Sequence, residues 1–202
     1  MSRPQPALRL TLILVLVAVM ALLVVLPATA SARTLGKGQA TIRLDPVFAL
    51  FVAGGFPPYP VPPGTMDFGV AVTPKLALPV VGGNWSSLDS RGTFLLRGGI
   101  DYIHYTAGPL TLHQLRVVKW HAGVNTTAGW TAQTNGTRIK VFDEDLTGSN
   151  PSFFKKGGHR YVKVNDVVLT YSTAFVTAFT NTFGPTPPGI PFGTATLVAR
   201  LK

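Results

Sequence analysis

Tyr102, His104 and Tyr105 are the side chains whose types and spacing come closest to a chemical site. They lie in a stretch of short apolar runs, Arg91 to Trp120, with breaks at Gly98-Gly99 and Ala107-Gly108-Pro109. That pattern predicts two or three neighbouring strands joined by tight connections. Side chains alternate along a strand, so Tyr102 and His104 share one face and Tyr105 takes the other. A tyrosine oxygen held by a histidine is a workable axial ligand for ferric haem, because the imidazole favours the phenolate. The alternative is that these amphipathic rings sit half-buried at a sheet edge with no ligand at all. Tyr59, in a proline-rich segment, is a fourth candidate.

Two charged clusters follow. Asp143 and Asp145 would share a strand face and could hold a calcium ion with carbonyls of the next loop. The same pair also reads as a solvated strand end. Lys155-Lys156-Gly157-Gly158-His159-Arg160 could cradle an anion, or could be a hairpin turn kept soluble by its lysines. The sequence has no G-x-S-x-G elbow, H-E-x-x-H motif, phosphate-binding glycine loop or dinucleotide fingerprint. A non-enzymatic role is expected.

The address is written at the start. Arg3 and Arg9 precede an apolar run from Leu10 to Leu26, Pro27 ends it, and Ala28-Thr29-Ala30-Ser31-Ala32 offers small-residue cleavage sites. Residues 1–32 read as a secretory signal peptide cut after Ala30 or Ala32, an uncleaved anchor being the alternative. Residues 33–202 then form a single domain, with 16 lysines and arginines against 8 acids. There is no cysteine, so no disulfide supports the fold. A basic exported domain meets anionic partners readily. Anionic cell-envelope components or other surface proteins are the expected partners. No nucleic-acid-binding motif is visible, and haem is the one cofactor the residues suggest.

The elements that would position these side chains are mostly strands. Alternation begins at Ala40 to Leu44, and Asp45-Pro46 then predicts a short helix to Ala53. Phe56 to Gly64 is proline-rich and extended. Strands are expected over Met66 to Pro74 and Lys75 to Val81, the latter closed by Gly82-Gly83. Beyond Trp120, Asn135-Gly136 predicts a hairpin. Phe175, Phe179 and Phe183 fall on one helical face, stopped by Gly184-Pro185. The expected fold is mainly β: an antiparallel β-sandwich or strongly curved sheet with two short capping helices. Its sheet edges could pair with a neighbouring subunit.

Segments in a fixed order carry a family likeness: Thr41–Pro46, Gly92–Ile100, Leu110–Val117, Ile139–Leu146, Val167–Thr170, Phe175–Gly184 and Gly189–Thr196. The chain resembles little-characterised exported proteins of high-GC Gram-positive bacteria, themselves similar to the HtaA-type haem-uptake domain. The resemblance implies a β-rich fold with small helices. It also implies a haem site made by a tyrosine near the start of the domain and a supporting histidine in a Gly-His segment. Here Arg97 stands at the histidine position, and Pro46 to Ala53 contains no tyrosine. What the resemblance leaves is an inherited fold with the haem site absent or rebuilt around Tyr59, Tyr102 or His104.

Overall fold

The structure, a computed structural model, describes residues 32–47, 58–68, 73–106, 111–185 and 190–202. The unit from Ala32 to Lys202 is compact in its own right. Eleven strands belong to one sheet, and every pairing is antiparallel. They are β1 (Arg33–Leu44), β2 (Pro58–Val61), β3 (Thr65–Asp67), β4 (Lys75–Ser86), β5 (Arg91–Thr106), β6 (Thr111–Val124), β7 (Trp130–Thr134), β8 (Thr137–Asp145), β9 (Pro151–Lys156), β10 (His159–Tyr171) and β11 (Pro191–Leu201). One helix, α1 (Thr173–Phe183), lies between β10 and β11.

The sheet closes. Starting at β5, its order runs β6, β7, β8, β10, β11, β1 and β4, and β4 pairs back onto β5. The expected sandwich is therefore corrected to a closed eight-stranded barrel, with β2, β3 and β9 added outside the ring. Apolar alternation gives one buried and one wet face in either architecture. What separates them is the long-range pairing of β1 with β11, which sets Leu44 opposite Gly193, and closure removes the exposed edges an open sheet would keep.

The inward positions follow the alternation. Ala40, Ile42 and Leu44 of β1 and Ala195, Leu197 and Ala199 of β11 are buried, while Gln39, Arg43 and Thr194 are not. Trp85, Phe94, Trp120, Trp130 and Phe142 fill the centre. Phe142 stacks on Trp120 at 5.5 Å and on Phe192 at 4.5 Å between ring centroids. Each such ring contributes about 2 kcal/mol or more by leaving water.

Among the described residues there is one helix rather than two. Pro46 and Val47 form a turn, with the Val47 amide donating to Asp45 Oδ1 at 2.9 Å. The rest of the expected first helix lies outside the described residues, as does the expected signal peptide. The second expected helix is α1. Ser172 Oγ accepts from the Phe175 amide and donates to the Lys140 carbonyl at 2.6 Å, so one hydroxyl caps the helix and ties it to β8. Phe175 and Phe179 are the buried positions of its inner face.

Two expected breaks are not breaks. β4 continues through Gly82-Gly83, where a Cβ on Gly83 would lie 1.9 Å from the Thr93 carbonyl oxygen. Glycine there permits close strand approach instead of ending the strand. β5 likewise runs through Gly98-Gly99 as a bulge. Asn135-Gly136 makes the expected β7–β8 hairpin, both residues with positive φ.

Candidate functional site

A line of irregularities crosses the barrel wall. Val81 is an extra residue in β4 opposite β5, and Arg97-Gly98 of β5 face the single residue Lys119 of β6. Further shifts separate Val118 from His121 in β6 and Thr131 from Trp130 opposite β8. Bulges bend a sheet and re-aim side chains. Here the bend leaves an open groove of about 390 Å³ on the barrel's outer surface.

The groove has two chemistries. Val61, Val81, Leu95 and Val118 give it apolar walls. Arg97 and Lys119 are exposed beside them, and neither makes an ion pair among the described residues. Lys119 has φ 54°, a left-handed conformation rare for a lysine, and Arg138 braces it by donating from Nη2 to its carbonyl at 3.3 Å. His121 also lines the groove. Desolvation, and then the Arg138 charge, hold its imidazole below the ordinary value, which favours the neutral ring. Gly98 has φ 86°, and a Cβ there would meet the Gly64 amide nitrogen at 2.4 Å. The groove is thus built by backbone that packs only around glycine.

Four of the five sequence-derived candidates are divided between the inside and the outside of the barrel. Arg97 lines the groove. Tyr59, half exposed, is paired on β2 with Asp101 of β5. Asp101 is buried, and its Oδ2 accepts from Gln114 Nε2 at 2.6 Å and from Arg116 Nη2 at 2.8 Å and Nε at 3.1 Å. Tyr102 and His104 do share the other face, but Tyr102 is a core residue. Its hydroxyl is hydrogen-bonded to that of Tyr171 at 2.6 Å, and Phe175 and Phe179 pack on its ring at 6.0 and 5.5 Å. Burial pushes both phenols well above their ordinary range. This arrangement does not fit haem ligation, which needs an accessible phenolate. His104 is half-buried opposite His113. Tyr105 pairs through its backbone with Leu112, and its side chain lies outside the described residues.

The acidic cluster is occupied by local contacts. Asp143 Oδ1 pairs with Lys140 Nζ at 2.5 Å, and Asp145 Oδ1 accepts from the Thr147 amide at 2.8 Å. Among the described residues no three His, Asp or Glu side chains gather as a metal site. Glu144 lines a second depression, with Asn125, Thr126 and Lys140. Desolvation raises its carboxyl to about 7, although the Thr126 and Asn125 amides, Lys140 and the Trp130 indole favour the charged form. The indole is close without closing a hydrogen bond, since Trp130 Nε1 has no partner of proper geometry.

Lys119, His121 and Arg138 were not singled out by sequence reasoning. The run Val117-Val118-Lys119-Trp120-His121 reads as an ordinary strand, and only the bulge turns Lys119 and His121 toward the groove.

No family model matches the chain, and no curated protein matches it. A solved structure does: the C-terminal domain of HtaA from Corynebacterium glutamicum superposes with a TM-score of 0.54 at 14% identity, over 83% of this chain and 99% of that one. In fold, the chain is an HtaA-like domain.

Proposed function

We propose that residues 33–202 are a non-enzymatic binding module that acts at the cell envelope after export. The single observation that carries this reading is the groove beside Arg97: apolar walls flanked by the cations Arg97 and Lys119, neither ion-paired among the described residues. Apolar walls with a few placed charges are the usual makeup of a small-molecule site. The matching ligand is a flat or extended hydrophobic molecule that carries acid groups. The apolar run from Leu10 to Leu26 and the small residues after it supply the export signal. Titration of the processed chain with protoporphyrin IX, a flat dicarboxylic acid, tests the reading. Trp120 lines the groove, so its fluorescence is expected to be quenched with saturation. An unchanged emission would overturn it.

Haem is the second reading. It is favoured by His121, an imidazole in the groove held toward its neutral, ligating form. Hemin is then expected to bind more tightly than the metal-free porphyrin, and His121→Ala to remove that difference. Equal affinities for the two would leave the groove without iron ligation.

A further inference from the structure

We propose that the β9–β10 hairpin is a docking finger for an anionic lipid surface. Pro151 to Val164 carries Lys155, Lys156, Arg160 and Lys163 and no acid. Among the described residues β9 has β10 as its single partner strand, so its outer edge is unpaired. The register places Phe154 opposite Tyr161 and Lys155 opposite Arg160, with Lys156 opposite His159 across the Gly157-Gly158 turn.

Paired residues share a face of the ribbon. One face therefore carries Phe154 and Tyr161, stacked at 5.1 Å, followed by Lys156 and His159 toward the tip. The other carries Phe153, with the Arg160 guanidinium 5.6 Å from its ring centre, and Lys155. Phe153 is 41% exposed and Phe154 37% exposed, although both are large apolar rings.

Charge complementarity selects the partner. Lysine and arginine at a finger tip draw it to anionic headgroups, and exposed phenylalanine and tyrosine beside them suit the headgroup boundary. A hydrated polyanion would use the cations but leave both phenylalanines in water. The proposal takes its setting from the export reading, which brings the chain to a membrane face, but it uses no groove residue.

The test is co-sedimentation of the processed chain with vesicles. The barrel strands and α1 together hold the whole described core, so this part is a folding unit of its own. Binding is expected to vesicles of phosphatidylglycerol mixed with phosphatidylcholine, to weaken with salt, and to be lost on phosphatidylcholine alone. Lys155→Glu together with Lys156→Glu is expected to weaken it at least about tenfold. Arg97→Glu with Lys119→Glu is expected to leave it unchanged, which separates this inference from the groove. In Phe153→Trp, emission is expected to shift to the blue on vesicle binding. A Phe153→Trp emission that stays put, vesicle binding that survives the lysine reversals, or full competition by soluble polyglycerol phosphate without any blue shift would overturn it. The last result would identify a polymer as the partner.

Discussion

The hydroxyls of Tyr102 and Tyr171 meet at 2.6 Å inside the barrel, joining β5 to the end of β10 just before α1. Tyr171 stacks on Phe175 at 4.7 Å, so the bond also fixes the strand on which the helix rests. Removing one hydroxyl takes a partner from the other in a buried place. Tyr102→Phe is expected to cost about 1–2 kcal/mol, and Tyr102→Phe with Tyr171→Phe less than the sum of the singles. Denaturant melts of the four proteins measure the coupling. Both phenols titrate above their ordinary value in the fold, so the unfolded chain loses these protons first as pH rises. Their contribution is complete below about pH 10 and declines above it.

Glu144 gives the opposite kind of pH dependence from most carboxylates. Its folded value, about 7, lies above the ordinary carboxylate range, so the folded state holds its proton longer. Stability falls as pH rises through that window and is lowest above it. Glu144→Gln is expected to raise the melting temperature at pH 8 and to change it little at pH 4. The side chain is only part-buried, so the gain is on the order of 1 kcal/mol. Melts of both proteins across the range check it, and an equal shift at every pH would contradict it.

Asp101 is a buried anion held by Gln114 and by an Arg116 whose own side chain is half exposed. Asp101→Ala is expected to destabilise by about 2–4 kcal/mol, because it removes charge-assisted bonds from a packed position. Arg116→Ala leaves the anion buried with Gln114 alone and is expected to cost about as much. Chemical denaturation of each variant settles the comparison.

Gly98 is where the wall bends. A methyl group there meets backbone atoms of Gly64 and Val61, which cannot move aside like a flexible side chain. Gly98→Ala is expected to lose more than about 2 kcal/mol and to weaken ligand binding in the groove, whereas Gly136→Ala, with open space around its Cβ position, disturbs only its own turn.

The strands and α1 were legible because their signals are local. Alternation marks β1 and β11, Asn135-Gly136 marks a hairpin, and the Phe175–Phe179–Phe183 spacing marks the helix. Closure was not legible, because it depends on β1 meeting β11 from the far end of the sequence, a pairing that no local pattern encodes. Gly82-Gly83 and Gly98-Gly99 read as stops for the same reason. Whether a glycine ends a strand or admits a neighbour is decided by the neighbour. Of the candidate site residues, Arg97 was reachable from sequence and faces the groove. Lys119 and His121 became visible only through the bulge, while Tyr102 looked chemical and lies in the core beside Tyr171.

The groove stands or falls on its cations. The most direct measurement is the protoporphyrin IX affinity of the wild type beside that of Arg97→Glu with Lys119→Glu, with Tyr102→Phe as the core control. Reversal of both charges is expected to weaken binding at least about thirtyfold, while Tyr102→Phe leaves it unchanged. Affinity that survives the reversals, or that Tyr102→Phe alone abolishes in a folded protein, would place the ligand elsewhere and contradict the account.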